Sequence, residues 1–176
     1  MGAGSREDFT PDDLHGAIAA LLPDLRAFAR FLVRGRGEAD DLVQDTLVRA
    51  LSALAQFTPG THLKAWLFTI LRNTFYEQAR RRRREHAALQ QQRPAEPGPL
   101  HQAGAVDIAE LDRLLWRLPP VQREALVLVG AQELTYEEAA AICAVPVGTM
   151  KARVSRGRHQ LARLAAGEEA LPAAEQ

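Results

Sequence analysis

The sequence predicts an all-α protein made of two small helical domains joined by a flexible linker. Hydrophobic residues make up 47% of the 176 residues, enough for packed cores, and the good helix formers Ala, Leu, Arg and Glu dominate. Residues 87–105 are rich in Gln, Pro, Gly and Ala and lack apolar periodicity, as is typical of a flexible linker. We therefore expect domains over residues 10–86 and 108–166, a linker over 87–107 and a tail over 167–176.

The first domain is expected to begin with three helices. Asp12 or Asp13 can cap the first helix, and Pro23 suits the first turn of the second, which ends near Gly35. The third helix starts at about Glu38. Its predicted apolar stripe consists of Leu42 or Val43, Leu47, Ala50, Leu51 and Leu54. Polar residues on its first turns are Asp40, Asp41, Gln44 and Asp45. The helix dipole alone explains one or two acids there.

A loop over residues 56–62 leads to a fourth helix, residues 63–85. Its predicted apolar stripe consists of Leu63, Trp66, Leu67, Ile70, Leu71, Phe75 and Tyr76. The same helix carries the run Arg80 to Arg84. Cations interleaved with aromatic residues favour binding of unpaired DNA, because bases stack on aromatic rings and cations hold the phosphates. Trp66 belongs either to such a surface or to the core, and Phe75 is expected in the core.

The second domain is predicted to contain a helix-turn-helix. A helix over residues 108–117 ends at Pro119 and Pro120, and another follows over 121–131. Thr135 and Glu138 form a capping box that opens a short helix.

The final helix begins at Pro146 and runs for about five turns. Its inward face consists of Met150, Val154, Gly157, Leu161 and Leu164. Its outward face consists of Thr149, Ala152, Arg153, Ser155, Arg156, His159 and Arg163, flanked by Lys151 and Arg158. Small side chains let such a helix enter a major groove, and cations reach bases and phosphates. A helical hairpin with a solvated face is the alternative.

Charge is segregated along the chain, although 22 basic residues balance 22 acidic ones overall. Residues 1–60 and 94–145 have net charges of −3 and −5, whereas residues 61–93 and 146–176 have net charges of +6 and +2. We interpret the two basic segments as surfaces for a polyanion and the acidic ones as surfaces for a different partner. Solvated helix faces are the alternative interpretation of each segment.

The sequence offers no pattern typical of catalysis or of metal binding. Cys143 is the only cysteine, and the five histidines have no metal-ligand spacing. No glycine-rich phosphate loop or paired nucleophile and base is present. We therefore expect a protein that is not an enzyme, with no catalytic residue, metal, cofactor or small-molecule substrate. No apolar run approaches the roughly 20 residues of a membrane span, and the N-terminus is unlike a signal peptide, so we expect a cytoplasmic protein that binds no membrane.

Three segments resemble the extracytoplasmic-function (ECF) sigma factors of bacterial RNA polymerase. They are EADDLVQDTLVRAL (38–51), LKAWLFTILRNTFYEQARRRRR (63–84) and LPPVQREALVLVGAQELTYEEAAAICAVPVGTMKARVSRGRHQL (118–161). The resemblance covers about residues 12–164, with the motifs in the family's order, and 123–143 is most similar to the general-stress-response subgroup. It implies sigma region 2 in the first domain, region 4 in the second, and a role in promoter-specific transcription initiation.

The resemblance also implies which residues contact each partner. The clamp helices of the largest subunit of core polymerase would be bound by Asp41, Gln44, Asp45, Leu47 and Leu51. The promoter −10 element would be bound by Lys64, Trp66, Arg72, Asn73, Arg80 and Arg81, with loop 56–62 capturing flipped bases. The −35 element would be bound by Thr149, Lys151, Arg153, Ser155, Arg156 and Arg158. Ala152 and Ser155 differ from the side chains of many relatives, which leaves the −35 sequence open.

Two other functions remain as alternatives. A sigma-like decoy would sequester an anti-sigma factor without initiating transcription. Such decoys in the stress pathway are joined to a receiver domain, which we do not expect in this chain, and they need no basic DNA surface. A dimeric helix-turn-helix repressor would leave the acidic third helix unexplained. The resemblance implies, in addition, a small anti-sigma partner that a phosphorylated response regulator removes.

Overall fold

The computed structural model describes residues 11–58, 62–89 and 106–167. These residues form eight α-helices and no strand, which confirms the all-α prediction. The helices are α1 (Pro11–Ala20), α2 (Leu22–Leu32), α3 (Arg36–Ser52), α4 (Leu63–Leu89), α5 (Val106–Trp116), α6 (Pro120–Leu126), α7 (Tyr136–Cys143) and α8 (Val147–Ala165). A 3₁₀ turn, Leu54–Gln56, follows α3, and a π-helical turn, Val127–Ala131, extends α6.

The chain divides into two compact units, Met1–Pro97 and Gly98–Gln176. Helix α4 continues to Leu89 and α5 begins at Val106, so both ends of the predicted linker are helical. The predicted cap residues Asp12 and Asp13 lie inside α1. The tail over 167–176 lies outside the described residues, apart from Gly167.

The core of the first unit is formed by α2, α3 and α4, which pack against one another. Phe28 of α2 and Phe68 of α4 are fully buried and stack with ring centroids 4.9 Å apart. Phe68 is absent from the predicted stripe, because α4 buries a face wider than one row of residues. Phe75, expected in the core, is only half-buried. Trp66 is also half-buried, and its ring centroid lies 5.1 Å from that of Phe57.

The buried face of α3 differs in phase from the predicted stripe. Its buried residues are Ala39, Leu42, Val43, Thr46 and Ala50. Leu47 is half-buried and Leu51 is 48% exposed, since each lies one residue beyond a buried position and is rotated out of the core. Thr46 takes the inward position that periodicity assigned to an apolar residue. Its Oγ1 donates to the carbonyl oxygen of Leu42 at 2.7 Å, so its burial leaves no unpaired hydroxyl.

The second unit contains the predicted helix-turn-helix, formed by α7 and α8. The capping box is confirmed: the Glu138 N–H donates to Thr135 Oγ1 at 3.2 Å, and the Thr135 N–H donates to Glu138 Oε2 at 2.8 Å. Helix α7 ends at Cys143, and the following residue, Ala144, has a left-handed backbone (φ 53°) that turns the chain toward Pro146. Met150, Val154, Gly157 and Leu164 form the buried face of α8, as predicted, and Leu161 is half-buried.

Helix α8 packs closely on α6 at Gly157. A Cβ at Gly157 would lie 3.0 Å from Leu126 Cγ and 3.1 Å from Leu126 Cδ1, closer than side chains normally approach. We therefore expect Gly157→Val to lower the free energy of unfolding of this unit by about 1–3 kcal/mol, because the added methyl groups overpack the helix contact. Chemical denaturation followed by the NMR signals of α8 amides measures this change.

Gly148 provides the matched control in the same helix. No atom lies within 4 Å of a Cβ added there, so Gly148→Ala is expected to raise the free energy of unfolding by up to about 1 kcal/mol through helix propensity. Equal stability of Gly157→Val and the unsubstituted chain would contradict the close packing of α8 on α6.

Candidate protein-binding and nucleic-acid surfaces

The outward face of α3 combines carboxylates with exposed apolar side chains. Asp41, Gln44 and Asp45 are exposed, and spacings of three and four residues place them on one side of the helix. Val48, 65% exposed, and Leu51, 48% exposed, extend this face toward the C-terminus of α3. Exposed apolar groups rimmed by charges are typical of protein-binding surfaces. Sequence analysis missed Val48, although its spacing from Gln44 and Asp45 could have placed it there.

Two side-chain contacts tie this face of α3 to α4. The Gln78 amide donates from Nε2 to Asp45 Oδ2 at 2.7 Å, and Arg49 Nη1 donates to Glu77 Oε2 at 2.5 Å. Asp45, proposed from the resemblance to bind protein, therefore already has a partner within the chain. The hydrogen bond from Arg49, and then its charge, lower the pKa of Glu77, and the charge of Arg80 contributes less.

Removing Arg49 is expected to raise the pKa of Glu77. In Arg49→Met the carboxyl loses its donor and nearby positive charge, so its pKa moves toward the ordinary Glu value. Since the folded pKa is the lower one, the pair stabilises the protein above the unfolded pKa, and this contribution is lost as pH falls through the folded pKa. A carboxyl NMR titration measures the shift.

The control for this titration is Arg26→Met. Arg26 contacts Asp40 at 3.6 Å on the other side of α3, so its removal is expected to leave the Glu77 titration unchanged. An identical Glu77 pKa with and without Arg49 would show that the contact does not form in solution.

The predicted DNA-binding residues of α4 differ in how open they are to solvent. Asn73, Arg80 and Arg81 are exposed, and Arg81 contacts Glu85 at 3.5 Å. The Arg72 guanidinium lies over the ring of Tyr76, 4.5 Å from its centroid. Lys64 is the exception, because its Nζ lies 2.8 Å from Asp24 Oδ2 and only 19% of its side chain is exposed. The structure thus places Lys64 in an ion pair between α4 and α2.

The outward face of α8 is basic and accessible. Ser155, Arg156 and Arg158 are exposed, whereas Thr149 and Arg153 are half-buried. Exposed Lys151 has its Nζ 5.7 Å from the ring centroid of Tyr136, at the start of α7. The predicted −35 residues therefore lie together along one helix, with their cations able to approach a polyanion.

Neither a metal cluster nor a membrane helix is found in the described ranges. No group of three or more His, Cys, Asp or Glu residues there could hold a metal ion. Across the same residues, every helix is too short or too polar to cross a bilayer. Cys143 is buried in α7.

Comparison with known proteins assigns the family. The Sigma-70 region 2 model matches residues 17–85, and the Sigma-70, region 4 model matches residues 108–161. The ECF RNA polymerase sigma factor EcfG of Rhodopseudomonas palustris (strain TIE-1) is 47% identical over 157 residues, which are 87% of this chain and 85% of that protein. The chain belongs to the ECF sigma factors.

Other members of the family support the same assignment. This sigma factor is 35% identical over 150 residues to the ECF RNA polymerase sigma factor SigC of Mycobacterium tuberculosis (strain CDC 1551 / Oshkosh), covering 84% of the chain and 80% of SigC. It is also similar to the sigma factor RpoE solved in complex with the anti-sigma factor NepR from Bartonella quintana, with a TM-score of 0.78 and 42% identity. That match covers 90% of this chain and 99% of RpoE. The faces of α3, α4 and α8 described above all lie within the matched sigma regions.

Proposed function

We propose that this sigma factor directs core RNA polymerase to promoters that carry specific −10 and −35 elements. The observation that carries the proposal is that the two units expose helix faces of opposite charge. One unit exposes an acidic and apolar face on α3, and the other exposes a basic face on the second helix of a helix-turn-helix. Family membership explains why both faces occur in one chain, because a sigma factor binds both an enzyme and DNA.

The face of α3 is the proposed binding site for the clamp helices of the polymerase. Its acids would pair with cations of the clamp, and the exposed side chains of Val48 and Leu51 would be removed from water on binding. Exposed apolar side chains lower the solubility of a protein. Their presence on this face therefore favours a partner protein that covers them. Asp41, Gln44, Asp45, Leu47 and Leu51 remain the proposed contact residues, and Val48 is added.

Helix α4 is the proposed −10 surface. Asn73 and Arg72 would contact bases near the edge of the melted region, and Arg80 and Arg81 would follow the phosphates. Trp66, half-buried against Phe57, offers part of its ring to an unstacked base. Unstacking costs a few kcal/mol per step, which capture of flipped bases offsets. Lys64 contributes less directly, since its ammonium is paired with Asp24.

Helix α8 is the proposed −35 surface. In a helix-turn-helix the second helix enters the major groove and its N-terminal part meets base edges. Lys151, Arg153, Ser155 and Arg156 occupy that part, with Thr149 before them and Arg158 after them. Two weak contacts on one chain strengthen each other through effective concentration, so the first domain (10–86) and the second (108–166) would read a promoter bivalently.

We also propose control by an anti-sigma factor in a general stress response. RpoE of Bartonella quintana, 42% identical to this chain, is bound by the anti-sigma factor NepR. An anti-sigma protein that covers the α3 face or the α8 face would block polymerase or promoter binding. Under this proposal the sigma factor acts with the polymerase in the cytoplasm and is inactive until the anti-sigma factor is removed.

Promoter selection by the reconstituted holoenzyme tests the proposal. Purified core polymerase with the full-length chain is incubated with random-sequence DNA, and bound DNA is recovered and sequenced. Two enriched elements, absent when core polymerase is used alone, are expected. No enrichment, together with tight binding of an anti-sigma protein, would instead support a decoy that initiates no transcription.

A further inference from the structure

The chain contains two tyrosines, and the structure places a cation over each ring. The Arg72 guanidinium carbon lies 4.5 Å from the ring centroid of Tyr76, and Lys151 Nζ lies 5.7 Å from that of Tyr136. Both distances fall within the roughly 6 Å over which an aromatic ring attracts a cation. Tyr76 belongs to the first unit and Tyr136 to the second, so each unit has a tyrosine with a cation over its ring.

Two further cation–ring contacts in the described part of the chain serve the fold instead. Arg123 lies 3.8 Å from the ring centroid of Trp116, but Arg123 is 7% exposed and belongs to the interior of the second unit. Lys64 lies 5.7 Å from the Phe68 centroid, and its ammonium is paired with Asp24. By contrast, Arg72 is half-buried and Lys151 is exposed, so DNA can approach both.

Each tyrosine is itself held in place. Tyr76 is half-buried, and its ring makes an edge contact with Phe75 at 5.0 Å. Tyr136, also half-buried, is the first residue of α7, directly after the Thr135 cap that fixes the start of this helix. Its contact with Lys151 therefore joins the two helices of the helix-turn-helix. A fixed ring restricts the rotamers of the cation above it.

We propose that Tyr76 and Tyr136 are positioning residues for promoter recognition, which hold Arg72 for the −10 element and Lys151 for the −35 element. The proposal rests on the proposed function of the two units. A long side chain loses rotamer entropy when it binds DNA, and a ring that restricts it beforehand reduces this loss. Stacking uses the face of a guanidinium, whereas its hydrogen bonds are made in the plane, so the ring and a DNA acceptor are compatible.

A double-mutant cycle on the holoenzyme tests the role of Tyr136. The probe is promoter DNA recovered in the selection described above, and the dissociation constant is measured for each variant. Tyr136→Leu is expected to weaken binding about two- to five-fold, because Lys151 is no longer restricted beforehand and loses more rotamer freedom when it binds DNA. Tyr136→Phe keeps the ring and is expected to bind like the unsubstituted protein. In the presence of Lys151→Met, Tyr136→Leu is expected to have no further effect.

The matching cycle for Tyr76 uses Tyr76→Leu, Tyr76→Phe and Arg72→Met, with a fork-junction DNA that carries only the −10 element. Each tyrosine is the control for the other: Tyr136→Leu should leave the affinity for this fork unchanged. On promoters with a scrambled −35 element, the effect of Tyr136→Leu should disappear. A merely structural role of Tyr136 would weaken binding of the −35 element to the same extent with and without Lys151→Met.

The outcomes separate this inference from the function on which it rests. Additive effects of Tyr136→Leu and Lys151→Met, or equal losses for Tyr136→Phe and Tyr136→Leu, overturn the positioning role while promoter binding by the unsubstituted holoenzyme stands. Absence of any promoter binding by that holoenzyme overturns the proposed function and the positioning role together. The proposal is supported if the effects of the tyrosine and cation substitutions are non-additive only on DNA that carries the matching element, −35 for Tyr136 and −10 for Tyr76.

Discussion

Asp45→Arg is expected to abolish binding of this sigma factor to core RNA polymerase. Asp45 is exposed on the acidic face of α3, between Asp41 and Val48. Reversing its charge would place a guanidinium against the cations expected on the clamp. Breaking a buried interfacial charge pair costs about 2–5 kcal/mol, so we expect core affinity to fall by about 30-fold to several thousand-fold. Fluorescence anisotropy of the labelled chain titrated with core polymerase measures the loss.

Gln78→Ala is the matched control for Asp45. It removes the 2.7 Å hydrogen bond to the Asp45 carboxylate but leaves the negative charge in place. We expect nearly unchanged core affinity, which separates the charge of Asp45 from its contact within the chain. Binding of Asp45→Arg to isolated −35 DNA should also persist, since that contact is made by the other unit. Unchanged core affinity of Asp45→Arg would refute the assignment of α3 to the clamp.

Arg153→Ala is expected to weaken −35 recognition by about 1–3 kcal/mol, because a bidentate contact to a guanine edge contributes about that much discrimination. Arg153 is half-buried on α8, two residues from both Lys151 and Ser155 in the sequence. Binding to the selected promoter and to its single-base variants measures the effect. Loss of preference at one position identifies a base contact, and an equal loss on all sequences identifies a phosphate contact.

Arg117→Ala is the control for Arg153. Arg117 is exposed in the same unit, and Arg117→Ala removes the same charge as Arg153→Ala. Arg117 follows α5, however, and lies outside the recognition helix. Its loss is expected to leave the base preference of the −35 element unchanged. A reduction of preference as large as that of Arg153→Ala would show that net charge, and not readout by α8, determines binding.

Local sequence patterns predicted the helices better than they predicted the buried faces. The capping box of Thr135 and Glu138 and the inward positions of α8 follow from neighbouring residues and are confirmed. The prediction that Leu51 lies in the core was wrong. Thr46 occupies an inward position of the same helix, because its hydroxyl is paired with a backbone carbonyl. Hydrophobic periodicity considers apolar residues only, so it does not predict that a threonine can be buried when its hydroxyl is paired within the helix.

Contacts between distant residues were beyond the reach of sequence patterns. The ion pair of Lys64 with Asp24 depends on how α4 packs against α2, which spacing does not specify. The same is true of Lys151 over Tyr136, which requires the angle between α7 and α8. The family resemblance placed Lys64 among the DNA contacts, whereas the structure gives its charge a partner within the protein.

Promoter-dependent transcription measures the central claim most directly. Core polymerase is supplied with nucleotides and a selected promoter, with and without the full-length chain, and run-off transcripts are quantified. Scrambled −10 and −35 versions of the same promoter are the controls. We predict a discrete transcript only when the chain and both elements are present. A transcript yield that does not depend on the chain, on any selected promoter, would contradict the account.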